Sequence, residues 1–156
     1  MSRIKIRKAQ RSESAALTAL IRRSKAHWGY KAEFMRQSAA SFAIPEALFV
    51  RGHVLVAEDE TGAVLGVASL EALPQEGDFD LLHLFVEPAA IRTGAGRLLF
   101  EAIAAAARAA GARRLVIMSD PNAVPFYERM GSRRIGESPS DAIPGRSLPL
   151  LEYDLG

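Results

Sequence analysis

The sequence predicts an α+β fold in one domain spanning residues 1–156, with a mixed, mostly antiparallel sheet flanked by helices. Three observations lead to this prediction. A chain of 156 residues has the size of a single ordinary domain. Several short apolar runs separated by turn residues indicate strands joined as hairpins. One strand–helix–strand unit between Phe79 and Met118 adds a parallel pair of strands, because such a crossover is right-handed and connects parallel neighbours.

The first half of the chain is predicted to contain three strands and two helices. Residues 3–7 alternate between basic residues and isoleucine, which is the pattern of a strand with one buried face. Ser12 is expected to cap a helix whose apolar residues share one face. The predicted elements are a strand at 3–7, a helix from Ser12 to about Lys25, a helix from Ala32 to Ser41, a connection at 45–52, and strands at Val54–Glu58 and Val64–Leu73 joined by the turn 59–62.

The second half is predicted to alternate strands and helices and to end in a pair of strands. Glycines mark both ends of its long helix, since Gly94 and Gly96 precede it and Gly111 stops it. The predicted elements are a strand at Phe79–Val86, this helix, a strand at Arg114–Met118, a short helix at Ala123–Met130, and strands at Arg133–Gly136 and Leu150–Leu155 separated by the loop Glu137–Pro149.

Composition excludes several classes of function. A net charge of +2 without a block of basic residues gives no indication of nucleic-acid binding. The absence of cysteine rules out disulfides, thiolate metal sites and a cysteine nucleophile, and no metal is expected. The first ten residues lack an apolar core like that of a signal peptide, and no run approaches membrane-spanning length. We therefore expect a cytoplasmic protein that binds no membrane, and leave a homodimer open.

The stretch after the strand 79–86 has the pattern of an anion-binding turn. Pro88 ends the strand, and Gly94 and Gly96 then open a helix whose first N–H groups have no helical partner. These groups and the helix dipole favour phosphate or pyrophosphate. Two other nucleotide motifs fit less well, since a dinucleotide fingerprint needs glycine where Leu99 stands and no Gly-Lys-Ser/Thr follows. An ordinary, tightly packed strand-to-helix turn is the alternative.

Two motifs resemble those of the GNAT superfamily of acyl-CoA-dependent N-acetyltransferases. The first is Val86-Glu87-Pro88 followed by Gly94-Ala95-Gly96, and the second is the segment Asn122-Ala123-Val124-Pro125-Phe126-Tyr127-Glu128-Arg129-Met130-Gly131. The predicted order of elements matches that family as well. The resemblance implies a central pair of strands that splay apart, acetyl-CoA as co-substrate, and acetyl transfer to a primary amine of a small molecule or peptide. Direct attack in a ternary complex is expected, because the chain has no cysteine that could form a covalent acyl intermediate.

The resemblance also implies which residues bind the cofactor. The backbone of the strand is expected to pair with the pantetheine arm, and an N–H near Leu84 to polarise the thioester carbonyl. The family usually has Arg or Gln at the position of Ile91 and Gly at that of Arg92, so either Arg92 replaces the missing side chain or the backbone alone binds the pyrophosphate. The implied cofactor residues are Leu84, Phe85, Val86, Arg92, Thr93, Gly94, Ala95, Gly96, Arg97, Leu98 and Asn122.

Tyr127 is the expected proton donor to the departing thiolate, by resemblance and because a phenol stays protonated at neutral pH. The amine must lose a proton before it attacks, and His83, Asp80 and Glu71 are candidate bases. Asp80 and His83 would lie on opposite faces of a regular strand, although a bulge would change this. Proton loss through water stays open, and each of these side chains could instead have a purely structural role.

The acceptor is expected to bind near the segment between the first two helices. His27, Trp28 and Tyr30 could enclose an amine, Glu71 could contribute a carboxylate, and the loop 138–149 containing Arg146 could border the pocket. A hydrophobic corner between helices is the structural alternative for the aromatic residues. Two other functions remain open, namely a noncatalytic acyl-CoA sensor with the same fold and a nucleotide-dependent enzyme of doubly wound architecture.

Overall fold

The computed structural model describes residues 3–156, in which the chain forms one seven-stranded sheet and five α-helices. The sheet has the order β1-β2-β3-β4-β5-β7-β6. The elements, in chain order, are β1 Lys5–Lys8, α1 Ser14–Ala26, α2 Ala32–Ser38, α3 Glu46–Val50, β2 Val54–Glu58, β3 Val64–Ala72, β4 Asp78–Val86, α4 Ala95–Ala109, β5 Arg114–Met118, α5 Val124–Arg129, β6 Arg133–Pro139 and β7 Ser147–Asp154.

The pair β4–β5 is the parallel pair of the sheet, and it is short. Asp78, Phe79 and Asp80 pair with Arg114, Leu115 and Val116, and there the pairing ends. β4 nevertheless continues to Val86 with β3 as its antiparallel neighbour. The two strands therefore separate after Asp80 and leave one edge of β4 without a strand partner. The mixed, mostly antiparallel sheet with a splayed central pair confirms the predicted fold class and excludes a doubly wound architecture.

A bulge in β4 changes which residues share a face. Ser69 pairs with His83 and Leu70 with Leu81, so Leu82 is an extra residue on β4. Phe79, Leu81 and Leu84 consequently pack on the α4 side, whereas Leu82 and Phe85 pack on the α1–α3 side. The bulge brings Asp80 and His83 to the same face of the sheet, where a regular strand would have separated them.

Two hydrophobic cores cover the two faces of the sheet. On one face, Leu99, Phe100 and Ile103 of α4 are buried against Ala68 and Leu70 of β3, and Tyr127 of α5 belongs to the same core. On the other face, Leu17, Leu20 and Ile21 of α1 pack with Val54, Val56 and Val67. Each of α1 and α4 thus presents one apolar stripe to the sheet.

Three details of the sequence prediction are wrong. The first helix begins at Ser14, after a 3₁₀ turn that Gln10 and Glu13 cap reciprocally, so Ser12 is not its cap. The connection predicted at 45–52 contains α3. The loop predicted at 137–149 largely belongs to the hairpin of β6 and β7. In residues 3–156, none of the helices has the length and apolar character needed to cross a membrane.

Candidate active site

The gap between β4 and β5 is lined on one side by the backbone of β4, and α5 packs near the end of that strand, because Phe126 and Val86 both lie next to Gly96. The residues of β4 beyond Asp80, including Leu84, Phe85 and Val86, face no strand on the β5 side. In a strand with one neighbour, alternate N–H and C=O groups are left for another partner. The side chains of Leu84 and Val86 pack in the α4 core and that of Phe85 in the opposite core. Only the backbone of these residues is therefore available to a ligand.

Tyr127 offers a hydroxyl without a partner next to this gap. The residue is only 6% exposed, and its ring packs against Phe126 and Phe100 at centroid distances of 5.3 and 6.1 Å. Burial is the main cause that raises the pKa of its hydroxyl well above the ordinary value, and the negative charges of Asp80 and Asp120 add to it. No hydrogen bond from the described part of the chain contributes to this shift. Tyr127 is therefore protonated at neutral pH and has a free donor.

Asp80 is the carboxylate at the point where the strands separate. Burial, and then the negative charges of Glu71 and Asp141, raise the pKa of Asp80 to about 6. Glu71 lies directly opposite on β3, and Asp141 belongs to the turn between β6 and β7. A carboxyl with this pKa is ionised at pH 7 and is more basic than an ordinary aspartate, which suits a general base.

His83 has a different environment from Asp80 although both lie on the same face. Its side chain is buried, with 3% exposure, and both ring nitrogens have partners. Nε2 lies 2.9 Å from the carbonyl oxygen of Ser41, to which it donates, and Nδ1 lies 2.8 Å from Ser69 Oγ, from which it accepts. Burial lowers the pKa of the ring, and the bond to Ser41 opposes this only partly. A neutral histidine whose two ring nitrogens are both hydrogen-bonded within the protein has no nitrogen left to accept a proton from a substrate.

The turn before α4 leaves several backbone donors free. The N–H of Leu98 bonds to the carbonyl of Gly94, and that of Ala95 reaches Thr93 Oγ1 at 3.3 Å. The N–H groups of Gly94, Gly96 and Arg97 have no acceptor in the described chain. Free amides at the start of a helix of 15 residues form a site for an anion such as pyrophosphate.

The backbone of this turn is constrained at Arg92 and at Gly96. Arg92 has a φ of +71°, the only positive φ outside glycine in residues 3–156, at the position where the family usually has glycine. A Cβ on Gly96 would lie 3.3 Å from Phe126, so this glycine also permits close packing of α5 on α4. Arg97 is exposed and pairs with Glu101 at 3.3 Å.

A partly buried cluster of polar side chains lies around Asp120, which follows β5. Its carboxylate accepts bonds from Lys25, from Tyr30 Oη at 2.7 Å, and from the backbone and side-chain nitrogens of Asn122 at 2.9 and 2.8 Å. Burial opposes the ionisation of Asp120, but the bond and charge of Lys25 outweigh it and lower the pKa. Asp120 thereby caps the 3₁₀ turn at 121–123, whereas Asn122 lies inside that turn.

Tyr30 connects this cluster to the turn between β6 and β7. Its ring stacks on Phe34 at a centroid distance of 4.0 Å, and its hydroxyl accepts a bond from Arg146 at 3.2 Å. Of the other aromatic residues predicted to enclose an acceptor, His27 is exposed and contacts Trp28, which is 46% exposed. The structure thus brings Tyr30 to the cluster and leaves His27 and Trp28 at the surface.

The sequence prediction did not include Lys25, Phe34 or Asp120 among the residues of this site. Lys25 and Asp120 are 95 positions apart, so no local pattern relates them. The spacing of Asp120 two residues before Asn122 was the available signal, because an aspartate there caps a turn through the backbone two residues on.

Comparison with known proteins gives a family and a fold. The sequence profile of the acetyltransferase (GNAT) domain matches residues 22–142. A search of curated proteins finds no match. Solved structures that resemble the chain over nearly its whole length include three acetyltransferases. A GCN5-related N-acetyltransferase from Rhodopseudomonas palustris has a TM-score of 0.74 and 24% sequence identity, and the match covers 99% of this chain and 97% of that one. The PaiA N-acetyltransferase of Thermoplasma acidophilum in complex with coenzyme A has a TM-score of 0.77 and 16% identity, with coverages of 97% and 99%. YncA from Salmonella typhimurium with its cofactor acetyl-CoA has a TM-score of 0.72 and 24% identity, with coverages of 99% and 95%.

Proposed function

The chain belongs to the GNAT acetyltransferase family, and from this premise we propose that it transfers an acetyl group from acetyl-CoA to a primary amine. The acceptor is a small molecule or a peptide, and it attacks directly in a ternary complex. The observation that carries the proposal is the early separation of β4 and β5 beside the unpartnered hydroxyl of Tyr127. Such a gap gives an extended ligand both backbone partners and a proton donor.

The residues of the gap and the turn fit an acyl-CoA. The free amides of Gly94, Gly96 and Arg97 suit the pyrophosphate, and Arg92 adds positive charge in the same turn. The open edge of β4 suits the amide groups of the pantetheine arm. The amide nitrogen of Asn122 donates to Asp120 and Tyr30, so its carbonyl oxygen is available to accept from a pantetheine N–H.

When bound, acetyl-CoA supplies an activated thioester. Asp80 accepts the proton that the ammonium group of the acceptor must lose, directly or through a water molecule. A backbone N–H near Leu84 donates to the thioester carbonyl as negative charge develops on its oxygen. Tyr127 donates a hydrogen bond to the departing sulfur, and its raised pKa keeps that proton available across the neutral range. These roles use the two faces of the sheet, with Asp80 on one and Tyr127 on the other.

A screen of amines with acetyl-CoA, detecting the released thiol, tests the proposal. We expect at least one class of primary amine to be acetylated, and Tyr127→Phe to reduce kcat by about 100-fold while the KM for acetyl-CoA stays within about twofold. Tyr153→Phe is the matched control, because Tyr153 belongs to β7 and, like Tyr127, packs its ring on Phe100, at a centroid distance of 4.9 Å.

Two results would contradict the proposal. Binding of acetyl-CoA by calorimetry, without thiol release from any amine, would favour the noncatalytic sensor. An unchanged rate in Tyr127→Phe at several pH values would remove Tyr127 from the mechanism, since its hydroxyl is the only group that this change deletes.

A further inference from the structure

Arg146 differs from the other partly buried arginines of the chain. Between residues 3 and 156 three arginines are partly buried, and two of them are bound by pairs of carboxylates. Arg7 binds Glu13 and Glu58, and Arg114 binds Asp78 and Glu152. Arg146 has no carboxylate within ion-pair distance in the described chain, and its guanidinium donates one bond, to Tyr30 Oη at 3.2 Å.

The aromatic contacts of Arg146 position its guanidinium without saturating it. Its central carbon lies 4.7 Å from the ring centroid of Phe34 and 5.4 Å from that of Tyr30. Stacking of this kind stabilises the cation but leaves most of its five N–H donors free, because they lie in the plane of the group. A guanidinium held in one orientation with free donors is suited to a planar anion that accepts two bonds.

Arg146 lies at the rim of the proposed acceptor site. It is bonded to Tyr30, which is bonded to Asp120, and the charges of both Asp120 and Asp80 act on the hydroxyl of Tyr127. The turn that carries Arg146 also carries Asp141, whose charge acts on Asp80. Asp80 pairs with Val116 of β5, the strand that leads to Asp120, so strand pairing and hydrogen bonds together connect the Asp80 end of the site to the Arg146 end.

The site is consequently dipolar. At one end, Asp80 and Glu71 lie side by side on neighbouring strands and attract a cation. At the other end, Arg146 is the cation without a carboxylate, since the charge of Lys25 is balanced by Asp120. A molecule that carries an ammonium group and a carboxylate matches both ends.

We propose that the acceptor is an amino acid or a closely related amino carboxylic acid, whose carboxylate Arg146 binds while its amine faces Asp80. This inference rests on the proposed transfer to amines and narrows the acceptor to a zwitterion. Tyr30 and Phe34 act as positioning residues, because they fix the plane of the guanidinium.

The test compares free amino acids with their carboxamides, which keep the amine and the side chain but lose the negative charge. A panel of methionine, phenylalanine, glutamate and lysine, each as acid and as carboxamide, is measured on the full chain in two ways. Saturation-transfer NMR with coenzyme A present reports binding, and thiol release from acetyl-CoA reports turnover. The variants are Arg146→Gln, Arg146→Lys, and the control Arg134→Gln, which changes an exposed arginine of the same hairpin paired with Glu137.

For at least one member of the panel, we expect the acid to be favoured over its carboxamide by roughly 10- to 100-fold in KM, as the loss of a charge-assisted pair predicts. Arg146→Gln should abolish this preference and leave the KM for acetyl-CoA unchanged. Arg146→Lys should restore part of the preference, and Arg134→Gln should behave like the unaltered protein.

The two readouts separate failure of this inference from failure of the proposed function. Turnover of carboxamides as efficient as that of acids, or a preference that survives in Arg146→Gln, overturns the inference and leaves amine acetylation standing. Binding of acids that depends on Arg146, without any turnover, supports the carboxylate-binding role of Arg146 and overturns both the transferase and the assignment of the bound acid as its acceptor. Absence of amino acid binding to the unaltered protein overturns the inference, whatever other amines are acetylated.

Discussion

Asp80 and His83 illustrate how the surroundings of a single residue decide its chemistry. Both are titratable and both lie on the α1–α3 face of β4. His83 has partners on both ring nitrogens and is kept neutral by burial. Burial, and then the negative charges of Glu71 and Asp141, raise the pKa of Asp80 to about 6. The three-residue spacing in sequence placed the two side chains on opposite faces of a regular strand and left the choice of base open, and we propose the carboxylate as the base.

Replacing Asp80 by Asn tests whether this carboxylate is the base. Because the pKa of Asp80 is about 6, we expect kcat/KM to fall tenfold per pH unit below that value and to level off above it. Asp80→Asn should lower the plateau by about 100-fold and remove this limb of the profile. Asp141→Asn is the control, since it removes a charge that raises the pKa and should move the limb to lower pH. A profile that keeps its acidic limb in Asp80→Asn would assign the limb to another group.

The same substitution has an opposite effect on stability. Folding raises the pKa of Asp80 from 3.8 to about 6, so the folded state binds the proton more tightly than the unfolded state. The stabilisation this provides is complete below pH 4 and is lost as the pH rises through 6. Above pH 6 the buried charge costs up to about 3 kcal/mol. Asp80→Asn should therefore be more stable than the unaltered protein at pH 8, and this difference should disappear at pH 4.

The turn at 92–98 shows at the scale of one element what a local pattern can predict. Gly94 and Gly96 indicated a helix start with free amides, and the helix begins at Ala95 as that pattern requires. The local pattern did not predict the backbone strain at Arg92, because its φ of +71° results from the path of the chain between Pro88 and α4. A glycine at this position would adopt the same conformation without strain.

Replacing Arg92 by Gly separates strain from charge. We expect the free energy of unfolding to rise by about 1 kcal/mol, because a left-handed conformation costs an L-residue about that much. If Arg92 contributes charge to the pyrophosphate site, the Kd for acetyl-CoA should also rise severalfold. Chemical denaturation and calorimetry measure the two effects, and Arg92→Ala, which keeps the strain, is the matched control. Equal stability of the Gly and Ala variants would contradict the strain at this position.

Elements that depend on distant partners were harder to predict. The strands of the final hairpin extend further than their sequence suggests because β6 is an edge strand, where glycine and a terminal proline such as Pro139 are tolerated. The bulge at Leu82 is set by the pairing of β4 with β3 and has no local signal. The contacts of Lys25 with Asp120 and of Tyr30 with Arg146 join residues 95 and 116 positions apart.

At the scale of the whole molecule, the sheet consists of two parts with a weak connection. Strands β1–β4 form one antiparallel part and β5–β7 the other, and only three residue pairs join β4 to β5. The helix α4 packs mainly on β1–β4, whereas α5 precedes β6 and contacts it. A ligand that occupied the gap would contact both parts, and it would therefore stabilise the molecule as a whole.

We expect acetyl-CoA at 100 times its Kd to raise the free energy of unfolding by about 2.7 kcal/mol, which corresponds to a rise in Tm of roughly 5–10 °C for a chain of this size. Hydrogen exchange should slow at the open edge of β4 and at the amides of Gly94, Gly96 and Arg97, because these donors would gain acceptors. The edge strands β1 and β6 should change least. Gly94→Val is the control, because valine is strained at a φ of +92° and should weaken both effects. Protection spread evenly over the sheet, or an unchanged Tm, would show that the ligand does not bind in this gap.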